Sequence, residues 1–136
     1  MPNSVYRVLI ALWAGSLWSL AAWVAPTLFY AQSDRHLAGM LAARLFGIET
    51  YVGLAVAVAA LFSPERGKFK WGYAAAGLLA LNEWALEPVM TLAHARGAAA
   101  GLSFGAWHGV SALIYLGACA ALAVPILKAE FCWRSA

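Results

Sequence analysis

Charge is what this sequence has least of. Only 11% of its 136 residues are charged and 64% are hydrophobic, against about 25% charged in a soluble domain. Such a chain cannot cover itself with groups fit for water, so its solvent is lipid. Its length allows one domain, residues 1–136. The formal charge of +3 comes from 9 basic and 6 acidic residues, with no basic tract to hold a nucleic acid. Cysteine is scarce too. Cys119 and Cys132 form no Cys-x-x-Cys, which removes the usual thiolate metal centre. Along a helix they would stand about 20 Å apart, so they read as free thiols. No strand pattern, no phosphate-binding glycine loop and no nucleophile–base constellation is evident. No catalytic residue is therefore assigned, and an enzyme is not the favoured reading.

What is present is long apolar segments. Four run at about 5–30, 37–62, 71–95 and 104–127. Each reaches the roughly 20 residues that cross a bilayer, and hydrocarbon forces each to be helical. The expected fold is an all-α membrane protein of four transmembrane helices in an up-down antiparallel bundle, because short connectors join neighbours. Asn3 or Ser4 caps the first helix, and Pro26 kinks its last turns. Ser33-Asp34 caps the second, Ser63-Pro64 stops it, and Gly97 to Ser103 connects the third to the fourth. The first segment resembles a signal peptide only superficially: it is too long and too rich in tryptophan, and reads as a retained helix.

Basic residues set the orientation. Arg7, Arg66, Lys68, Lys70, Lys128 and Arg134 fall on one side, and Arg35, Arg44 and Arg96 on the other. Six against three puts both termini in the cytoplasm, with Trp71 and Trp133 as interfacial anchors. The expected location is a bacterial inner membrane, and the first partner is the lipid bilayer.

Against this background the ionisable residues stand out. Leu81-Asn82-Glu83-Trp84-Ala85-Leu86-Glu87-Pro88 holds two carboxylates four residues apart inside an apolar segment. A charge at bilayer depth costs about 3 kcal/mol or more. Arg44, Glu49, Glu87 and His108 all fall in the outer half by helix depth, and packing would gather them into one cluster. Arg44 would pair with Glu49 or Glu87, and His108 would donate to the other carboxylate. Closed on itself, such a network only fixes the bundle. Open to a cavity, it would take a cation, a metal species or a proton. Glu83 lies deeper, with Asn82 as its one polar neighbour in sequence, and is the residue most suited to exchanging a proton. No metal is specified. Haem is not expected, because His94 is too shallow to face His108.

Small residues suggest packing. Gly101, Gly105 and Gly109 are spaced for close helix approach, and Ala11, Gly15, Ser19 and Ala22 offer a matching stripe. The partner is another helix of the chain or, alternatively, a second copy. Ser16, Ser19 and Ser111 read as helix-packing serines. Trp13, Trp18 and Trp23 spread around the first helix as packing and lipid contacts.

The same residues carry a resemblance. Trp13-Ala-Gly15-Ser-Leu-Trp18, Ala25-Pro26-Thr-Leu-Phe29, Ala38-Gly39 with Leu45-Phe46, Glu87-Pro88-Val-Met90 and Phe104 with Trp107-His108-Gly109-Val-Ser111 occur in order over nearly the whole chain. Together they resemble the transmembrane protein 205-like family (domain of unknown function 4149) of small four-helix membrane proteins. The resemblance implies the fold but no settled activity. It carries an association with resistance to metal-containing drugs and a distant similarity to copper-resistance membrane proteins. Gly15, Pro26, Phe29, Gly39, Phe46, Pro88, His108 and Ser111 match its pattern, and of these only His108 is a chemical residue.

Three functions compete. The first is an integral membrane protein handling a cation, metal species or proton at the polar cluster. The second is an accessory subunit of a homodimer or larger membrane complex. The third is a lipid- or quinone-binding enzyme framed by Trp84 and Trp107.

Overall fold

The computed structural model describes residues 3–64 and 66–133, with side chains described for 8–64 and 66–128. Arg7, Cys132 and Trp133, named above, have side chains outside that range, as do the cap candidates Asn3 and Ser4. Glu65 and Arg134 lie outside the described residues altogether. The described residues are mostly helical with one short β pair, and the chain divides into two compact units, Met1–Phe69 and Lys70–Ala136.

The first unit begins with α1 (Asn3–Ser19), widens into a π turn at Leu20–Val24, and continues as α2 (Ala25–Ala31). The break has a local cause. Pro26 would press its ring against the carbonyl four residues back and has no N–H to give. One extra residue in the turn moves that carbonyl aside, and the Ala25 N–H bonds the Leu20 carbonyl five residues back. The expected kink is thus a π turn. The chain reverses over Gln32–Asp34. Asp34 caps α3 (Arg35–Leu61), accepting from the His36 and Leu37 N–H groups at 2.9 and 3.2 Å. The helix stops at Ser63-Pro64, as expected. A 3-10 turn, Arg66–Phe69, closes the unit with Phe69 buried. Trp13 and Leu17 are buried against α3. The Trp13 ring occupies the place a side chain at Gly53 would need, so two helix backbones close over one indole.

The second unit repeats this plan. α4 (Lys70–Leu81) leads into a π turn at Asn82–Leu86 and then α5 (Glu87–Arg96), with Pro88 in its first turn. The Glu87 N–H bonds the Asn82 carbonyl, again five residues back. The expected unbroken helix at 71–95 is therefore three pieces. Gly97, at φ 82, ends α5. Ala98–Ala99 then pairs antiparallel with Leu102–Ser103 around Ala100 and Gly101, both at positive φ. This β pair was not expected from the sequence. Trp107 Nε1 donates to the Ala99 carbonyl at 2.8 Å and ties it to α6 (Phe104–Trp133). That helix runs past its expected end at 127, with Pro125 inside it.

The first arms of the two units correspond at several positions. Pro26 and Pro88 are 62 residues apart, and the same offset superposes Ala14-Gly15-x-Leu17 on Ala76-Gly77-x-Leu79. Trp13, Ala14 and Leu17 are buried, and so are Ala75, Ala76 and Leu79. In the second arms Tyr51-Val-Gly53 matches Tyr115-Leu-Gly117 at an offset of 64. In each unit a first-arm side chain lies against that glycine: Trp13 on Gly53, and Leu78 on Gly117. Each unit is a helical hairpin whose first arm is broken by a π turn and a proline.

Candidate functional site

In the first unit Glu49 lies midway along α3 and is partly buried. It accepts a hydrogen bond from Ser16 Oγ on α1 at 3.2 Å. The same hydroxyl lies 2.9 Å from the Trp13 carbonyl. The pairing expected between Glu49 and Arg44 is not made. Five residues apart on one helix, they point to different faces, and Arg44 is exposed. Ser16 is thus more than a packing serine. Its partner is 33 residues away, and no local spacing announces it.

In the second unit Glu83 lies within the π turn and Glu87 directly follows it. Both are partly buried. The nearest cations on the same arm are distant: Lys70 is about 20 Å before Glu83, and Arg96 about 14 Å after Glu87, at 1.5 Å per residue. Asn82 Oδ1 is buried with no hydrogen-bond partner among the described residues. The break also disturbs the backbone. The next rung in its wide register would join the Glu83 carbonyl to the nitrogen of Pro88, which has no hydrogen. The first unit has the same vacancy at the Ala21 carbonyl, opposite Pro26.

His108, in the first turns of α6, is exposed. Its ring stacks on Phe104, centroids 6.0 Å apart, and Phe104 meets His94 edge-on at 5.1 Å. His108 was expected to donate to whichever of Glu49 and Glu87 Arg44 left free, and among the described residues it makes no bond to Glu87. The offset of 64 that superposes the second arms places His108 on Arg44, so both units carry an exposed basic side chain at one position. Among the described residues, no three His, Cys, Asp or Glu side chains gather as a metal site.

The glycine run does not form one packing face. Gly101, at φ 80, belongs to the β turn. Gly105 and Gly109 are exposed, and nothing lies within 4 Å of a side chain added at Gly109. Gly15 is open in the same way, and Ala11, Ser19 and Ala22 are exposed beside it. Of the tryptophans, Trp13 is buried, whereas Trp18 and Trp23 are exposed, as lipid contacts would be. A groove of about 380 Å³ runs beside the first break, lined by Trp23, Val24, Thr27, Leu28, Ala31 and Gln32.

Three helical stretches, Val8–Ala31, Arg35–Leu61 and Phe104–Lys128, are long and apolar enough to cross a membrane. No more than 33% of any one is buried inside the protein, which leaves most of each for lipid. Helical architecture and three apolar helices of spanning length mark an integral membrane protein. More particularly, the chain belongs to the family described as Domain of unknown function (DUF4149), whose model matches residues 8–99. The match runs through the first unit and the broken first arm of the second, ending at β1. No curated protein and no solved structure matches the chain.

Proposed function

We propose that this protein handles a small cation or a proton at the carboxylates of its broken helices, Glu83 and Glu87 above all. One observation carries the reading. The hairpin plan is executed twice, and only one copy has these groups. At the places of Glu83 and Glu87 the first unit has Ala21 and Ala25. At the places of Ser16 and Glu49 the second has Leu78 and Leu113. A π turn followed by proline therefore forms without a carboxylate, so folding does not explain a group that costs about 3 kcal/mol at bilayer depth. Interrupted helices at corresponding positions of two repeats are also where membrane proteins place ion sites, because unwound backbone offers carbonyl oxygens. A divalent metal here would draw on the Glu83 and Glu87 carboxylates and such carbonyls rather than on a cluster of side chains.

The reading includes four spans in an up-down arrangement, with both termini in the cytoplasm of a bacterial inner membrane. Residues 70–96 make a 27-residue arm of about 40 Å, long enough to be the fourth span, and the six-to-three bias of basic residues supports the orientation. The exposed stripes at Gly15 and at Gly105–Gly109 favour a second copy, or a subunit of a larger complex, as the helix partner.

Titration calorimetry with a panel of divalent metals tests the site. The wild type is expected to bind at least one, and Glu87→Gln to abolish the heat. No heat with any metal, together with unchanged proton binding in Glu87→Gln, would sink the proposal.

A further inference from the structure

The first unit holds a polar pair that the second lacks. The Ser16 hydroxyl has one hydrogen, yet its oxygen lies within bonding distance of two acceptors, the Trp13 carbonyl at 2.9 Å and Glu49 Oε2 at 3.2 Å. An ionised carboxylate only accepts. With Glu49 ionised, the single hydrogen serves one acceptor well and abandons the other. With Glu49 protonated, its O–H donates to Ser16 Oγ and the Ser16 hydrogen goes to the Trp13 carbonyl. Both contacts are then satisfied along one chain.

We propose that Glu49 and Ser16 form an intramembrane proton-exchange site, with Glu49 carrying the proton and Ser16 positioning it. Loss of the proton turns the Ser16 hydroxyl from the Trp13 carbonyl to the carboxylate, and its return turns the hydroxyl back. The site rests on the reading above, that the intramembrane carboxylates serve a cation or proton, and assigns the proton to the first unit.

The surroundings suit exchange. Trp13 lies buried on Gly53, one turn beyond Glu49, and closes one side. Ser16 is on the surface of the unit, and a water molecule reaching that surface takes the proton from Glu49 and returns it. Among the described residues of the first unit, no cation pairs with Glu49. From α1 the facing groups are Trp13 and Ser16. On α3, Arg44 and Tyr51 point to other faces, and Arg35 and His36 are about 20 Å away along the axis. The first π turn and α2 bring no acidic or basic side chain and only Tyr30, at the far end. Arg66 and Lys68 lie beyond the opposite end of α3.

Infrared difference spectroscopy against pH tests this, on full-length protein in lipid nanodiscs carrying Glu83→Gln and Glu87→Gln to silence the second unit. A protonated-carboxyl C=O band should remain and titrate. Glu49→Gln should remove it. Ser16→Ala should raise its frequency, because the hydrogen bond is gone, and move its midpoint by roughly one pH unit, a tenfold change in proton affinity. Ser16→Thr should restore both. Spectra of Glu49→Gln that retain the band would overturn the proposal. Should Glu49→Gln fail to insert, Ser16→Ala decides alone, and an unmoved band overturns it. A wild-type protein that binds metal or protons at Glu83 and Glu87, while the Glu83→Gln/Glu87→Gln protein shows no titrating carboxyl band, would refute the pair without touching the broader function.

Discussion

Gly53 is the residue at which the first unit tolerates least. A methyl group there meets the Trp13 indole, which is itself buried and walled in by α1 and α3. Overpacking of this kind typically costs about 1–3 kcal/mol, so Gly53→Ala should lower the thermal midpoint by several degrees in detergent. Gly109→Ala, with open space around it, should leave the midpoint unchanged. The pair of measurements separates a glycine that accepts a neighbour within its own unit from one that does not. Spacing alone cannot make that distinction. Gly101, Gly105 and Gly109 have the spacing of a packing seam, yet the first sits in a β turn because its φ is positive. Asp34 was legible for the opposite reason: a cap is settled within three residues by its own side chain. Ser16 was not legible, since its chemistry depends on α3 arriving 33 residues later.

At the scale of the element, the informative features are the two broken arms. Pro26 announced the first break, but not its form, and the break before Pro88 went unread. A kink and a π turn satisfy the same ring clash, and only the bond from Glu87 N–H to the Asn82 carbonyl tells them apart. Pro88→Ala supplies the missing N–H. It should let the turn relax to α-helical register and slow amide exchange near residue 88, with Glu83 and Glu87 rotated relative to each other. The variant should fold and bind its cation or proton worse, by tenfold or more. Exchange as fast as in the wild type would show that proline does not hold the break. The β pair is a separate matter. Trp107→Phe removes the bond to the Ala99 carbonyl and should cost about 0.5–1.5 kcal/mol, seen as faster exchange in the 98–103 turn with the helices undisturbed.

At the scale of the whole molecule, the chain is one plan written twice. The repetition is faint in the sequence because most matched positions are apolar in both copies and carry little information. The signal was there in Ala-Gly-x-Leu followed by proline, at Ala14 to Pro26 and again at Ala76 to Pro88. Its value lies in the contrast it provides. Each unit shows what the hairpin needs, and the difference between them shows what it does not. Glu83 and Glu87, replaced by alanine in the sister unit, belong to the second kind, as do Ser16 and Glu49. Helix type and membrane character were readable from composition and length. The partners of those carboxylates were not, because helix depth says how far along a helix a residue lies but not which way it faces.

The contrast also defines the decisive measurement. Glu83→Ala/Glu87→Ala gives the second unit the residues the first unit uses at those places. Thermal unfolding and cation or proton binding should be followed on the same sample in lipid nanodiscs. The account predicts a folded protein, with its midpoint within a few degrees of the wild type, that has lost binding. A double variant that unfolds or fails to insert, or one that folds and binds as before, would contradict it.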